Sequence, residues 1–201
     1  MTSPVPSRIA LAALQVCNTY IYITMTSPVP SLIVLAIFHQ LFIYIYIGKL
    51  LNVKLTHQTG GLWKEFKNLS KAHSINLPVP KPIAVKQNVL VMEFQGVDGA
   101  PFPTLSETEV SESDLVEILD LVTILYQKSH LIHSDLSEYN VFKNSNDLIL
   151  FDFGSAVDVS HPMSKNFLLR DLKNLHRFFS KRGIPVFDVE KKFLEITEND
   201  I

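Results

Sequence analysis

A single cysteine, Cys17, is all that the 201 residues contain. It closes no intramolecular disulfide and excludes a zinc centre built from several thiolates. A chain without disulfides suits a reducing compartment. Charge of one sign is also missing, with 18 Lys and Arg against 20 Asp and Glu and a formal net charge of −2. Nothing in that balance points to wholesale nucleic-acid binding, and direct DNA binding is not expected. The second apolar stretch, residues 32–47, is only about 16 residues long and contains His39 and Gln40. A membrane-spanning helix needs about 20 apolar residues, so a membrane partner is not expected. The amino end lacks a basic cluster and a clear small-residue cleavage site, so it does not read as a secretory leader.

What is present is unevenly spread. Hydrophobic residues make up 47% of the chain, with the excess concentrated in residues 1–48. Those residues form a tandem repeat. Two units of 24 residues each open Met-Thr-Ser-Pro-Val-Pro-Ser, carry Tyr-Ile-Tyr-Ile near the end, and agree at about 14 positions. Solenoids need about three units to bury a shared core, so two copies do not make a repeat domain. The Tyr-Ile alternation permits strand. Three readings stay open: a recent duplication or misassigned start, a membrane-associated segment, or a folded cap.

From Gly61 onward the pattern is that of a globular enzyme. Residues 62–73 have helical spacing, with Leu62, Phe66 and Leu69 on one face. Pro78, Pro80 and Pro82 force an extended connection. Residues 88–94 read as a buried strand and 96–103 as a loop. A helix is expected over 113–129, capped by Ser111 or Ser113. Two short strands, 141–142 and 148–151, flank a polar turn. A last helix begins at Pro162 and runs to about 180, ending before Gly183.

The chemistry concentrates between residues 131 and 154. Leu131-Ile132-His133-Ser134-Asp135-Leu136-Ser137-Glu138-Tyr139-Asn140 is followed by Asp152-Phe153-Gly154. An Asp and an Asn share one loop, and a second Asp precedes a Gly after a short hydrophobic hairpin. Phosphoryl transfer from a nucleotide asks for those parts in that order. One carboxylate orients the attacking hydroxyl, an amide oxygen holds a metal, and a second carboxylate bridges metal to phosphates.

The residues 133–140 resemble the catalytic loop of RIO-type atypical serine/threonine kinases, nearest the type-one branch. Further likeness lies in Lys64-Glu65-Phe66-Lys67-Asn68-Leu69, Pro78-Val79-Pro80-Lys81-Pro82-Ile83-Ala84-Val85 and Asn88-Val89-Leu90-Val91-Met92-Glu93-Phe94. Asp152-Phe153-Gly154-Ser155-Ala156-Val157, His161-Pro162 and Phe167-Leu168-Leu169-Arg170-Asp171 extend it. The likeness implies an α+β, protein-kinase-like (RIO) fold, mostly the C-terminal lobe with a hinge and a partial N-terminal lobe. The expected division is the hydrophobic repeat at 1–48, the partial N-lobe and hinge at 49–96, and the C-lobe at 97–201.

The resemblance implies ATP and Mg²⁺ as cofactors, a cytoplasmic location and a pre-ribosomal small-subunit partner. Asp135 would orient the hydroxyl proton; Asn140 and Asp152 would hold Mg²⁺. In RIO proteins the Asp at the place of Asp152 is also implicated in accepting a transient phosphate. His133 reads as structural, packed beneath the loop. Met92 resembles the gatekeeper, and the carbonyl of Glu93 and the N–H of Gln95 would read the adenine edge. Glu65 resembles the helix glutamate that pairs with the ATP lysine; the alternative is a solvated helix charge. Lys54 is either that lysine or a simple exposed one. The sequence departs from the family in having no phosphate-covering loop before Gly61, which implies an exposed hinge-sheet edge and low turnover. The alternative reading is a truncated, non-catalytic pseudokinase or binding module.

Overall fold

The computed structural model describes residues 11–16, 19–24, 43–47, 51–55, 61–86, 89–145 and 147–198. Most of the tandem repeat, with Cys17, His39 and Gln40, lies outside the described residues, as does the turn residue Asn146. Among the described residues no helix is long and apolar enough to cross a membrane.

The chain divides into two compact units, Met1–Ile33 and Val34–Ile201. In the first, β1 (Leu11–Val16) pairs antiparallel with β2 (Thr19–Thr24). The second holds everything else and begins with β3 (Ile43–Ile47) and β4 (Leu51–Leu55). Next come α1 (Gly61–Ser74), β5 (Pro82–Lys86) and β6 (Val89–Glu93). These four strands form one antiparallel sheet in the order β3-β4-β6-β5. The expectation of an exposed hinge edge is therefore corrected: β6 is paired on both sides, because the Tyr-Ile-Tyr-Ile run of the second repeat copy supplies β3 and β4 fills the place beside β6.

Helix α1 buries Leu62, Glu65, Leu69 and Ala72, a stripe at helical spacing. It stops where Asn76 takes a left-handed φ of 59°, a conformation Asn tolerates, and the Leu77 N–H returns to the Ala72 carbonyl at 3.3 Å. The prolines that follow start β5, which lies at the sheet edge where Pro82 costs no central ladder bond.

The hinge then turns through a small hairpin, β7 (Gly96–Val97) and β8 (Ala100–Pro101), into the helical part of the fold. Helix α2 (Glu112–Ser129) is opened by a reciprocal cap. The Ser111 N–H donates to Asp114 Oδ2 at 2.7 Å, and the Asp114 N–H donates back to Ser111 Oγ at 3.4 Å. Strand β9 (Leu131–Ile132) leads into the loop of interest. The hairpin β10 (Val141–Lys143) and β11 (Leu148–Leu150) follows, then β12 (Val157–Asp158), which pairs with β9. Helix α3 (Ser164–Lys181) starts two residues later than expected. Pro162 sits instead in a turn closed by His161 N–H to Asp158 O (2.9 Å) and Ser164 N–H to His161 O (2.8 Å). A final helix, α4 (Val189–Thr197), had no counterpart in the sequence reading; Asp188 caps it by accepting from the Lys191 N–H at 2.8 Å.

One hydrophobic core runs through this unit. It links Leu62 and Leu69 of α1 and Leu90 and Met92 of β6 to Ile118 and Leu125 of α2, then to Leu150, Phe153 and the Leu172, Leu175 and Phe179 face of α3. The loop carrying Asp135 and the turn carrying Asp152 are thus suspended from a common apolar base.

Candidate active site

The loop after β9 is held from below by α3. Asp171 is buried, at 1% exposure, and accepts two backbone N–H groups of the loop, from Ser134 at 2.8 Å and Leu136 at 3.1 Å. The Arg170 guanidinium donates to the Ser134 carbonyl, and Asn174 Nδ2 donates to the Leu136 carbonyl at 3.1 Å. Ser134 is left-handed, with φ of 65°. A non-glycine residue in that region costs about 1 kcal/mol or more and persists only where its surroundings over-determine it. Four side-chain bonds from three residues of α3 supply that constraint. Asp135 is left projecting as an exposed residue between two anchored neighbours.

Asn140 closes the same loop. Its Nδ2 donates to the Asp135 carbonyl at 2.8 Å, which commits the amide nitrogen and leaves the amide oxygen as the end free for a cation. Its own carbonyl accepts the N–H of Phe151 at 3.1 Å, tying the loop to the residue before Asp152. His133 reinforces the tie from inside, with Nε2 donating to the Phe151 carbonyl at 2.9 Å and the ring tilted on Phe153 at 4.9 Å between centroids. Burial pushes the His133 pKa down, against the opposing influence of that bond and of Asp152 and Asp135, so the ring is neutral. Its Nδ1 has no hydrogen-bond partner among the described residues.

Asp152 also adopts a left-handed φ, 62°. Helix α1 grips the turn that follows it. Asn68 Nδ2 donates to the carbonyls of Phe153 (3.1 Å) and Ala156 (3.0 Å), and Lys64 Nζ reaches the Ser155 carbonyl at 3.3 Å. Gly154 sits between two carboxylates: a Cβ there would lie in ordinary contact with Asp152 Oδ1 at 3.4 Å and Glu65 Oε2 at 3.6 Å. Glu65 and Asp152 therefore flank one glycine. Glu65 is 2% exposed, so the solvated-charge alternative is excluded.

At the hinge, Met92 is buried while Glu93 is exposed. The Glu93 N–H is spent on the Lys81 carbonyl at 2.8 Å, and the Gln95 carbonyl accepts from Phe102 at 3.0 Å. Gln95 Nε2 rests on Glu93 Oε2 at 3.3 Å. Lys54 lies in β4, with its backbone in register opposite Leu90 of β6, two residues before Met92. The structure brings Asp135, Asn140, Asp152 and Glu65 around one loop-and-turn assembly, with Met92, Glu93 and Gln95 at the neighbouring hinge. The sequence reading assigned no role to Asp171, Asn68 or Asn174. The available signal for Asp171 was a carboxylate on the apolar stripe of Leu168, Leu172 and Leu175, a position charged residues rarely occupy without a partner.

A four-stranded sheet with a buried-glutamate helix, a hinge and a helical lobe carrying an Asp…Asn loop and an Asp-Phe-Gly turn define a protein-kinase-like domain. The Rio2 kinase–ADP/Mg²⁺–phosphoaspartate complex from Chaetomium thermophilum shares this fold, with a TM-score of 0.55 at 24% identity over 66% of this chain and 43% of that one. A model of the RIO domain matches residues 56–192. The chain belongs to the RIO family. It is 37% identical over 139 residues to serine/threonine-protein kinase RIO1 of Caenorhabditis elegans, covering 67% of this chain and 28% of that protein. It is also 37% identical over 121 residues to the RIO-type kinase Rio1 of Thermoplasma acidophilum, covering 60% and 64%. The chain thus spans less than two thirds of each of these relatives.

Proposed function

We propose that this chain is a RIO-type serine/threonine kinase or ATPase that uses ATP with Mg²⁺. The observation that carries the reading is the coupled loop: Asn140 bonded to the Asp135 carbonyl and, through Phe151, to the turn that holds Asp152. The donor set fits magnesium, because the amide oxygen of Asn140 and the carboxylate of Asp152 are hard oxygen ligands. Among the described residues no group of three or more His, Cys, Asp and Glu gathers as a metal cage. That agrees with a magnesium site in which substrate phosphates complete the shell. The bound ion would neutralise charge building on the phosphate oxygens.

On this reading Asp135, exposed between two anchored neighbours, orients an acceptor hydroxyl or water and takes its proton. The Chaetomium Rio2 complex contains a phosphoaspartate; here Asp152 is the carboxylate suited to take the γ-phosphoryl transiently, its Oδ–P bond forming as the bond to ADP breaks. Lys54, by its register beside the hinge strand, is the candidate lysine for the α- and β-phosphates, with Glu65 as its partner. Met92, Glu93 and Gln95 form the adenine-facing hinge. Action in small ribosomal subunit maturation, in the cytoplasm, is part of the proposal and is supported by the family resemblance.

Nucleotide binding tests the reading at the residue that carries it. ATP affinity measured by calorimetry should rise with Mg²⁺, and Asn140→Ala should lower the Mg²⁺-supported affinity about tenfold or more. Equal affinity in the variant, with and without Mg²⁺, contradicts the metal role. A second reading, a non-catalytic binding module, is favoured by the missing phosphate-covering loop; ATP binding without any turnover would establish it.

A further inference from the structure

Beside the turn that follows Asp152, a cleft of about 550 Å³ opens between α1 and residues 156–162. Its rim is cationic. Lys64, Lys67 and Lys71 all line it, spaced three and four residues apart and so on one face of α1, and Asp158 is the sole carboxylate among its lining residues. Its floor is apolar, built from Leu131, Ala156 and Val157. We propose that this cleft binds a phosphorylated peptide, with the three lysines holding the phosphoryl group and the floor taking a neighbouring side chain.

The present partners of the lysines are weak and exchangeable. Among the described residues Lys64 holds a carbonyl, that of Ser155, at 3.3 Å. Lys67 lies over the Trp63 ring, 5.5 Å from its centroid. Lys71 pairs with Asp158 at 3.0 Å, but both side chains are well exposed, at 42% and 50%, and a pair of that kind adds little in water. A phosphoryl dianion with three acceptor oxygens outbids a single carboxylate for such a cluster. Volume decides between sources. A cleft of this size is in the range that takes a ligand with several residues around it rather than a bare ion. Nucleic acid fits less well, because sequence-tolerant binding needs stacking faces and the described residues that line the cleft include no Phe, Tyr or Trp.

The chain has one tryptophan, Trp63, and Lys67, which lines the cleft, lies over its ring, so its fluorescence reports displacement of that lysine independently of ATP turnover. The full chain is titrated with a degenerate library of phosphoserine peptides, the same library unphosphorylated, inorganic phosphate, and a single-stranded oligonucleotide, at matched ionic strength. The expected result is a saturable change with the phosphopeptides, about tenfold weaker with phosphate and absent with the unphosphorylated library. Lys67→Met and Lys71→Met, both exposed substitutions, should each weaken binding about fivefold or more by calorimetry, while Lys181→Met leaves it unchanged. Tightest binding by the oligonucleotide, no preference for phosphorylated peptide, no saturation, or equal binding by all three variants would overturn the proposal.

Discussion

Asp171 is the residue on which the loop geometry most depends. Burial pushes its pKa up to about 7, against the opposing pull of the Leu136 and Ser134 N–H groups and of Arg170. With a folded pKa above the unfolded one, the native state binds the extra proton between about pH 4 and 7. Wild-type stability should therefore fall through that window as pH rises, relative to Asp171→Asn, by on the order of a few kcal/mol. Urea denaturation of both proteins at pH 4.5, 6 and 7.5 reads this, and parallel pH profiles would refute the burial argument. Asp171→Ala, which strips both amide groups of their acceptor, should cost about 2–4 kcal/mol at pH 7. His133 works in the opposite direction. Its folded pKa is lowered by burial, so it contributes stability that is present above the unfolded pKa, about 6.5, and lost as pH falls below it. His133→Gln should be less acid-sensitive than the wild type in the same denaturation series. Sequence reasoning found His133 as a packing residue because it sits inside the motif. It gave Asp171 no task because a helix stripe carries no record of which distant amides a carboxylate will meet.

At the level of elements, α1 connects the sheet to the Asp-Phe-Gly turn. It packs its Leu62 and Leu69 stripe inward and points Asn68 and Lys64 at the carbonyls after Asp152. Asn68→Ala, which leaves two carbonyls without their donor, should cost about 1–3 kcal/mol and loosen the turn. A fall in hydrogen-exchange protection confined to residues 153–157 would confirm it, whereas an unchanged exchange pattern would show that the turn holds itself. Helices α1 and α2 and the hairpin of β10 and β11 were legible from periodicity and caps, with ends within one residue of those observed. Strands β5, β7, β8, β9 and β12 were not. Four of these are two residues long, and β5 begins among prolines that argue for extension without naming a partner. Strand β3 was allowed by its Tyr-Ile alternation, but its partner was not legible: similarity to the first repeat copy says nothing about pairing with Leu51–Leu55.

Across the whole molecule, a single core joins the hinge sheet to the helical lobe, so damage at either end is felt at the loop between them. Leu90→Ala, at a fully buried position in β6, should cost about 2–5 kcal/mol. The loop of Asp135 and Asn140, the Asp-Phe-Gly turn and the hinge were readable because each is a local string with its own chemistry. The four-stranded sheet was not, since the pairing that joins its two local hairpins, β4 with β6, links residues as far apart along the chain as Leu51 and Glu93. On the proposed reading Lys54 meets the phosphates without a covering loop, and one fewer set of preorganised donors should lower the rate about 10²–10³-fold. The measurement that bears most directly on this account is ATP hydrolysis by the purified chain with and without Mg²⁺, beside Asp135→Asn and Asp152→Asn. The account predicts magnesium-dependent turnover that is slow against the usual kinase range of ~1–100 s⁻¹ and disappears in both variants. Turnover that survives in either variant, or none from a folded wild-type chain, would contradict it.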